Sequence, residues 1–450
     1  MLCRSQLKRR ILSHTHAILQ SLQAGLVPRL GLHLLQVGRK DEVAALLHDL
    51  DRIEQGGAAF RVVVGRFGSG KSFFLNLIRM IALQKRLVVV QADITMERRI
   101  RSTGGEARAL YSELMRSLAT KSKPTGGALR NLCEGWISNL HHNIMQAGGT
   151  VDDVKRRIHD DLQSLQEHVG GFAFAEVISK YYEGHTSGND VLQANALRWL
   201  RGEYTTKSEA RADLGVRQII DDENFYDSLK LMAAFCAKAG FGGLVVGMDE
   251  LVVLSHRLPT TRSRQANYEA LLVIINDCYQ GGAANIGFLL AGTDECLEDK
   301  RRGLHSYEAL RSRLVENRFA GENVQDFSGP VVRLKSLTPE DLFVLLRNIR
   351  HVHATGDAAK YLLPDDALVA VLKRANETLG AEYFKTPRDV VRSFVGLLNV
   401  LDQNPGRKWQ EFVGENFIKK SDTHASVEEE LALGKLPTAD DDDLQSFKLS

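Results

Sequence analysis

The chain has 450 residues, of which 44% are hydrophobic and 25% are charged, and its formal net charge is only +2. This size allows two or three domains with a sizeable core, while the small net charge does not by itself require a nucleic-acid partner. Five scattered cysteines without a Cys-x-x-Cys pair argue for reduced thiols and against a structural zinc site, and no stretch approaches the roughly 18 apolar residues that would span a membrane.

The N-terminal segment is predicted to be helical. Its N-terminus is basic, with Arg4, Lys8, Arg9 and Arg10, but polar Ser13–His16 follows where a signal peptide would have an apolar core, which argues against export. From residue 11 to residue 53, apolar side chains recur at helical spacing, with a break at Gly25–Pro28 and with Gly38-Arg39 just before the second helix. We therefore expect a cytoplasmic protein without membrane contact and a helical lead-in over residues 1–56.

A strand, a helix and a second strand follow the lead-in. Phe60–Val64 is a short β-branched run of the kind that forms a buried parallel strand, and it ends at a glycine. The pattern then predicts a helix from Ser72 to about Lys85 and a buried strand at Leu87–Ala92. Together these elements make a βαβ unit, which is the building block of a parallel sheet.

A long helical stretch separates this unit from the remaining strands. Residues from about 103 to 239 show mostly helical patterning without a clear strand, which predicts a large helical insertion. The strand pattern returns at Gly243–Met248, Ile286–Ala291 and Val331–Leu334, and a helix is predicted at about Ser263–Tyr279. The sequence therefore predicts an α/β fold, with a P-loop core and a parallel sheet over residues 57–335.

The last part of the chain reads as a small helical domain. Thr338-Pro339-Glu340-Asp341 combines an N-cap, a proline at the first helical position and acidic residues in the first turn, and Thr386–Asp389 repeats this signal. We predict a helical lid domain over residues 336–418. The acidic tail, residues 419–450, is expected to be partly disordered.

The loop after the first strand carries the strongest chemical signal. It fits G-x-x-x-x-G-K-[ST] in full between a predicted strand and a predicted helix, which is the expected context of a phosphate-binding Walker A loop. Glycines let backbone N–H groups turn toward a phosphate, Lys71 adds positive charge near the β/γ oxygens, and Ser72 offers a hydroxyl to Mg²⁺. The residues predicted to bind ATP here are Gly65, Arg66, Phe67, Gly68, Ser69, Gly70, Lys71 and Ser72.

Two carboxylates end the apolar strand at residues 243–248. Asp249 is predicted to hold Mg²⁺ together with Ser72, and Glu250 to orient and deprotonate the attacking water. The second carboxylate favours hydrolysis over nucleotide binding alone. Mg²⁺ is therefore the predicted cofactor and ATP the predicted substrate.

Three further polar residues are candidates for contacts with the γ-phosphate. Thr293 follows the strand at residues 286–291 and is a candidate sensor, with a turn former or a helix N-cap as the alternative. Arg311 and Arg313 lie shortly after it, and in an oligomeric ATPase such an arginine would project into a neighbour's site and stabilise transition-state charge. We favour Arg313 over Arg311, and solvated helix arginines are the alternative for both.

Arg388 lies in the first turn of the second capped helix of the predicted lid. From there it could reach the nucleotide and sense its phosphates. An ordinary surface ion pair with an acid is the alternative.

The order of these motifs resembles that of the origin-recognition and Cdc6-like branch of the AAA+ ATPases, with Gly38-Arg39 ahead of the phosphate loop and Pro387-Arg388 in the lid. Segments 25–29, 37–39, 65–74 and 88–93 are more closely similar to the BrxD family of ATP-binding proteins, which belongs to bacteriophage-exclusion (BREX) defence systems. The resemblance extends over about residues 15–418. It implies a bacterial cytosolic ATPase that acts against phage alongside a helicase and other system components, and nucleotide contacts for Gly38, Arg39 and Phe73.

The chain departs from the origin-recognition branch in one respect. Those proteins carry a winged-helix DNA-binding domain after the lid, whereas about thirty residues follow Ile418 here, so DNA binding of that kind is not expected. The candidate DNA contacts are instead the basic stretches Arg98–Arg101, Lys155–Arg157 and Arg301–Arg302, for which a solvated charged face is the alternative.

Three functions fit these motifs. The first is a self-associating AAA+ ATPase that couples ATP hydrolysis to remodelling or loading of a partner on DNA in antiphage defence. The second is a nucleotide-gated switch or scaffold similar to STAND signalling proteins, and the third is a DNA-dependent loader of a helicase or transposase. Turnover stimulated by DNA or a partner favours the first, while slow, unstimulated turnover with ATP-dependent association favours the second.

Overall fold

The computed structural model describes residues 15–319, 326–379, 387–414 and 417. The chain divides into two compact units that alternate along the sequence. The first unit contains Val63–Ile78 and the described parts of Met1–Val43 and Arg333–Leu433. The second unit contains Ala44–Val62 and the described part of Arg79–Val332.

Helices make up most of the described residues. In chain order they are α1 (described over 15–23), α2 (Leu32–Leu35), α3 (Lys40–Glu54), α4 (Lys71–Gln84), α5 (Glu106–Ser117), α6 (Leu129–Gln146), α7 (Val151–Gln163), α8 (Gly171–Ser187), α9 (Asp190–Leu200), α10 (Lys207–Leu214), α11 (Phe225–Lys238), α12 (Thr261–Gln280), α13 (Asp294–Glu298), α14 (Glu308–Arg313), α15 (Pro339–His353), α16 (Asp365–Leu379) and α17 (Pro387–Gln403). Within the ranges that the structure describes, no helix is long and apolar enough to cross a membrane.

The strands are β1 (Ala58–Val64), β2 (Val88–Asp93), β3 (Leu244–Asp249), β4 (Ile286–Gly292) and β5 (Val331–Arg333). In the described part of the chain these five form one parallel sheet in the order β2-β3-β4-β1-β5. The strand β3 pairs with β2 on one side, where Val88 lies opposite Leu244, and with β4 on the other, where Leu244 lies opposite Ile286. Ligands of such sheets bind beyond the carboxyl ends of the strands. The residues that follow β3 and β4 therefore lie at the edge where a ligand is expected.

The sheet is buried because its strands are apolar on both faces. Every residue of β1, β3 and β4 is buried, as expected for parallel strands that are covered by helices on both sides. Gly287 in β4 allows α3 to pack closely, because a Cβ atom there would collide with the side chain of Ile53. The α/β fold class with a parallel sheet, predicted from the sequence, is therefore confirmed.

The predicted strands and the two helices predicted in the core are present with small shifts at their ends. α4 starts at Lys71, one residue before its predicted start. α12 starts at Thr261, earlier than the predicted Ser263, because Thr260 is its N-cap and accepts a hydrogen bond from the Ser263 N–H at 3.1 Å. The apolar periodicity located these helices, while the capping side chain decided where α12 begins.

The stretch from residue 103 to 239 is helical, as the patterning predicts. Its helices α6, α8 and α11 share an aromatic cluster in which the ring of Phe235 lies 5.4 Å from that of Trp136 and 5.8 Å from that of Phe174, both edge to face. An isolated antiparallel bridge joins Ala119 to Val89 in β2. The interpretation of this stretch as an insertion into an ATPase core stays a prediction.

The first unit has its own apolar core. It is formed by α15, α16 and α17 together with residues of α1 and α2, and it includes Ile18, Leu35, Leu346, Phe394 and Leu398. The predicted helix start at Thr338 is confirmed by a capping box, in which Thr338 Oγ1 accepts from the Asp341 N–H at 3.1 Å and the Thr338 N–H donates to the Asp341 carboxylate at 3.0 Å.

The second predicted helix start lies partly outside the described residues, since the structure describes this region only from Pro387, where α17 begins. The predicted tail, residues 419–450, also lies outside them. The domain boundaries at residues 56, 335 and 418 and the role of residues 336–418 as a lid stay predictions.

Candidate functional site

The predicted phosphate loop lies between β1 and α4. β1 ends at Val64 and α4 begins at Lys71, so the loop has the strand and helix on either side that the motif requires. Gly68 and Gly70 have φ angles of 73° and 91°, which are left-handed values that favour glycine. The two glycines therefore let the backbone turn at the N-terminus of α4, where N–H groups without helical partners favour an anion.

Lys71 holds the loop through its ammonium group. Its Nζ donates to the Gly65 carbonyl oxygen at 2.7 Å and to the Arg66 carbonyl oxygen at 3.0 Å. In the first turn of the same helix, the Ser72 carbonyl oxygen accepts from Asn76 Nδ2 at 2.9 Å. The positive charge predicted to meet the phosphates is thus located at the loop itself.

Arg39 contacts the phosphate loop through the loop's main-chain oxygens. Its guanidinium donates to the Ser69 carbonyl oxygen and, at 3.5 Å, to the Gly70 carbonyl oxygen. Burial lowers the pKa of Arg39, and the nearby carboxylates of Glu42 and Asp341 work against that shift. Arg39 is therefore engaged by the loop and lies close to two acids, and its predicted contact with ATP stays a prediction.

Two buried polar atoms beside this loop have no hydrogen-bond partner within the described residues, namely Ser69 Oγ and Arg39 Nε. A buried donor without a partner is costly, so native structures generally satisfy such groups. A hydroxyl and a guanidinium N–H are both donors to phosphate oxygens. The donor set at the loop therefore fits an anionic ligand such as a nucleotide phosphate.

Gly38 is needed at its position for two reasons. Its φ angle is 61°, and a Cβ atom there would lie 3.0 Å from an oxygen of Asp341, the residue that completes the capping box of α15. Arg39, next in the chain, also has a positive φ of 56°. The Gly38-Arg39 pair thus makes a tight turn that directs Arg39 toward the loop, and its predicted contact with ATP is not tested by this geometry.

Arg388 also reaches the phosphate loop. Its Nε donates to the Gly25 carbonyl oxygen at 2.8 Å, and its guanidinium carbon lies 5.5 Å from the centre of the Phe67 ring. Phe73 packs against the apolar core of the first unit. The first unit thus brings Arg39, Phe67 and Arg388 to one loop, although they are far apart in sequence.

In the second unit, the predicted acidic pair lies at the end of β3. Asp249 is buried, with 6% of its surface exposed, while Glu250 is exposed. Glu250 has a φ angle of 61°, a strained value for a residue other than glycine, and its N–H donates to Asp249 Oδ1 at 2.8 Å. One carboxylate of the pair is therefore buried and the other is exposed, and their predicted roles stay predictions.

Asp93 is an acidic residue at this edge that the sequence analysis did not select. It ends β2 directly opposite Asp249. Burial raises the pKa of Asp93, the charges of Asp249 and Glu113 raise it further, and Arg98 lowers it. An acid at a predicted strand end was visible in the sequence, but the pairing of β2 with β3 was not.

Thr293 is the N-cap of α13, where its Oγ1 accepts a hydrogen bond from the Cys296 N–H at 3.2 Å. This is the alternative that the sequence left open for this residue. A capping hydroxyl accepts through oxygen and keeps its own proton to donate, so the predicted sensor role is compatible with the cap. That role stays a prediction.

The two candidate arginines of α14 differ in their contacts. Arg311 forms an ion pair with Glu308 one turn earlier, at 2.7 Å. Arg313 is exposed at the end of the helix and donates from Nε to Asn276 Oδ1 at 3.1 Å. Arg311 is thus held by an acid of its own helix, while Arg313 contacts a neutral amide and the neighbouring Ser312 hydroxyl.

The basic stretches considered for DNA binding are largely engaged within the protein. Arg98 pairs with Glu113 at 3.6 Å, and Arg99 pairs with Glu106 at 2.5 Å. Arg302 is buried, and its Nη1 donates to the His256 carbonyl oxygen at 3.3 Å. Residues 155–157 form ion pairs with aspartates of their own helix. These contacts favour the alternative interpretation, in which the basic residues form an ordinary charged surface or make ion pairs and hydrogen bonds within the protein.

Oxygen donors suitable for Mg²⁺ are present in both units. The Ser72 hydroxyl and the Asp249 carboxylate are hard oxygen ligands, which this ion prefers, and Mg²⁺ usually combines one or two such ligands with water and substrate phosphates. Within the described ranges, no group of three or more His, Cys, Asp or Glu residues is arranged to hold a metal ion. Each of the two residues predicted for Mg²⁺ is therefore of a chemical type that suits the ion, and their joint coordination of it stays a prediction.

Comparison with known proteins identifies a family. The model of the family described as "BREX system ATP-binding protein BrxC/D" matches residues 12–416, which is most of the chain. The comparison with curated proteins gives no match.

Proposed function

Because the chain belongs to the family of BREX system ATP-binding proteins BrxC/D, we propose that it binds Mg-ATP at the loop between β1 and α4 and hydrolyses it. The observation that carries the proposal is the arrangement around that loop. Lys71 Nζ lies within 3.0 Å of two loop carbonyl oxygens, and the buried Ser69 hydroxyl has no partner among the described residues.

The loop residues have separate roles in this proposal. The backbone N–H groups of residues 65–72 bind the β-phosphate, and Lys71 neutralises charge on the β and γ oxygens. Ser72 and Asp249 hold Mg²⁺, which supplies positive charge to the phosphates when it is bound. Phe67 and Arg388 line the same loop, and Arg388 is proposed to exchange its contact with Gly25 for one with the nucleotide.

Hydrolysis is proposed to depend on Glu250. Its carboxylate would orient a water molecule and accept a proton from it as the water attacks the γ-phosphate. The exposure of Glu250 and the turn that separates it from buried Asp249 support this division of roles. Thr293, which follows the neighbouring strand β4, is proposed to donate a hydrogen bond from its hydroxyl group to the γ-phosphate.

The work done by hydrolysis is proposed to be the remodelling or loading of a partner on DNA in BREX defence, in an assembly of several copies with other BREX components such as a helicase. The exposed Arg313 supports an assembly, because an arginine at that position could act on the nucleotide of a neighbouring copy. A nucleotide-gated switch, in which ATP locks an assembly and turnover resets it, is the second candidate, and a DNA-dependent loader is the third.

The test measures ATP turnover and assembly state together, for the wild type and for Glu250→Gln, with and without double-stranded DNA. We expect the variant to bind Mg-ATP as the wild type does and to lose turnover, since glutamine keeps the shape of the side chain but cannot accept the proton. Stimulation of the wild type by DNA would support loading or remodelling. ATP binding without turnover in the wild type would contradict hydrolysis and leave the switch.

A further inference from the structure

A buried histidine follows the acidic pair in the second unit. His256 lies in a short π-helix, Val253–Arg257, that begins three residues after Glu250, and 2% of its surface is exposed. Its Nε2 lies 3.0 Å from Asp299 Oδ2, and its Nδ1 lies 2.7 Å from Ser255 Oγ. Single turns of π-helix are rare and often occur at functional sites.

The proton positions in this group follow from its surroundings. Burial works to raise the pKa of Asp299, but hydrogen bonds from the Arg301 N–H, from His256 and from the Arg302 N–H outweigh it, so the pKa lies below its usual value. Burial lowers the pKa of His256 more than Asp299 raises it. At neutral pH, a neutral His256 therefore donates from Nε2 to the Asp299 carboxylate, which leaves Nδ1 as an acceptor beside the Ser255 hydroxyl. That hydroxyl also lies 3.0 Å from the Val252 carbonyl oxygen.

The contact between His256 and Asp299 joins two segments that both start at the edge of the sheet. One segment runs from Asp249 through the π-helix, and the other runs from β4 through Thr293 and α13 to Asp299. They already meet once at the sheet, where the Leu251 N–H donates to the Ala291 carbonyl oxygen at 3.0 Å. A Cβ atom on Gly292 would lie 3.3 Å from the Leu251 side chain, so the two segments are in close contact there.

A single contact between two segments still allows one to rotate relative to the other, whereas two separated contacts fix their orientation. The sheet contact at Leu251 lies next to Glu250, and the contact at Asp299 lies six residues after Thr293. We propose that His256 and Asp299 are positioning residues that fix the Glu250 carboxylate relative to Thr293. This inference rests on the proposed hydrolysis, and it assigns the pair to turnover and not to ATP binding.

Arg302 strengthens the second contact. Its Nη1 donates to the His256 carbonyl oxygen at 3.3 Å, and its own carbonyl oxygen accepts from the Tyr268 hydroxyl of α12. The backbone N–H of the same arginine also donates a hydrogen bond to the Asp299 carboxylate. The π-helix, the Asp299 turn and α12 are therefore tied into one network, which can hold a geometry that a single hydrogen bond could not.

Two substitutions of His256 separate its two hydrogen bonds. Glutamine places an N–H near the position of Nε2 and keeps the donor to Asp299, while asparagine reaches only the position of Nδ1 and loses it. A third variant, Tyr204→Phe, is the control for stability. Tyr204 is 1% exposed, and its hydroxyl donates to Asp213 at 2.8 Å among the helices of residues 103–239, so its loss removes a partly buried hydrogen bond elsewhere in the same unit.

The experiment measures kcat for ATP, the Kd of Mg-ATP and the melting temperature for the full chain and these variants, with Asp299→Asn as the reciprocal change. We expect His256→Asn and Asp299→Asn to lower kcat by about tenfold or more with Kd unchanged, because small misplacements of catalytic groups are costly. His256→Gln should recover most of kcat, and Tyr204→Phe should keep it in full.

Either of two results would overturn the inference while leaving the proposed function intact. One is an active wild type whose kcat is unchanged in folded His256→Asn or Asp299→Asn. The other is a fall in kcat in His256→Asn that is not recovered in His256→Gln and that also occurs in Tyr204→Phe when both proteins lose the same amount of melting temperature. A wild type that binds ATP without turnover would instead overturn hydrolysis itself, and the positioning role with it.

Discussion

The guanidinium group of Arg39 donates a hydrogen bond to the main-chain oxygen of Ser69 in the phosphate loop. In loops of this kind the N–H groups face the phosphates, so a donor that binds a carbonyl oxygen helps to fix the orientation of the peptide planes. Arg39 is thus placed to organise the loop from the side of its carbonyl groups. This contact joins residues that lie 30 positions apart in the chain.

Replacing Arg39 with methionine is expected to weaken Mg-ATP binding. Hydrogen bonds to charged groups contribute about 1.5–3 kcal/mol, which corresponds to roughly tenfold or more in Kd. Lysine at this position keeps the charge but not the two-pronged geometry and should recover little of the affinity. Titration with a fluorescent ATP analogue measures the effect.

A matched control for this prediction is Arg407→Met. Arg407 is an exposed arginine of the same unit that pairs with Glu411 at 2.9 Å. It should leave Kd unchanged, since exposed ion pairs contribute little. Equal affinity of folded Arg39→Met and wild type would show that the contact does not organise the loop.

The two arginines of α14 should differ in their effect on turnover. Arg313→Ala is expected to lower kcat by well over tenfold, as loss of an arginine acting on transition-state charge does, with little change in Kd. Arg311→Ala is the matched control, because the side chain of Arg311 is held by Glu308. A larger loss in Arg311→Ala would reverse the assignment.

Action between copies can be tested by mixing. Chains with Arg313→Ala and chains with Glu250→Gln are each expected to be inactive alone. In a mixed assembly, an intact Glu250 can meet an intact Arg313 from a neighbouring chain, so turnover should reappear when the two are combined. No recovery in assemblies shown to contain both chains would place Arg313 outside the neighbour's site.

The stability of the protein is expected to fall as the pH drops below about 6.5, the ordinary pKa of histidine. Burial lowers the pKa of folded His256, and the charge of Arg302 lowers it too. Asp299 and Glu295 act in the opposite direction but do not cancel this shift. Above this pH the group is neutral in both the folded and the unfolded chain. Below it, the unfolded chain takes up a proton first, so the free energy of unfolding decreases, by at most about 1.4 kcal/mol per pH unit for one group.

Urea denaturation at several pH values measures this dependence. His256→Asn should make the free energy of unfolding less sensitive to pH below about 6.5. His353, whose pKa burial also lowers, contributes in the same direction, so His353→Gln is the companion variant. An unchanged pH dependence in His256→Asn would contradict a neutral buried histidine.

The capping box of α15 should contribute to the stability of the first unit. Thr338→Ala removes the side chain that accepts from the Asp341 N–H and is expected to lower the free energy of unfolding by about 1 kcal/mol. Thr150→Ala is the matched variant in the second unit, since Thr150 and Asp153 form the same box at the start of α7. Chemical denaturation followed by circular dichroism should show similar losses for both, and no loss for Thr338→Ala would contradict the prediction.

The sequence by itself determined the local features of this protein. The five strands could be located because buried parallel strands are short, continuous apolar runs. The loop between β1 and α4 could be predicted to bind phosphate because its glycines, Lys71 and Ser72 stand at a fixed spacing. The start of α15 followed from Thr338 and Pro339, since capping depends on residues close in the chain. Family membership followed from segments that could be compared directly.

Only the tertiary structure decided which distant residues meet. The sequence placed Arg39 and Arg388 near the nucleotide, but their particular contacts with the Ser69 carbonyl oxygen and the Phe67 ring were seen only in the structure. The register that sets Asp93 opposite Asp249 and the contact of His256 with Asp299 could not be predicted from spacing. These contacts depend on strand order and on the packing of helices from different parts of the chain, which local sequence patterns do not encode. Hydrogen bonds and charge interactions act through space over a few ångströms, so the chemistry of these residues was set by the fold that brought them together.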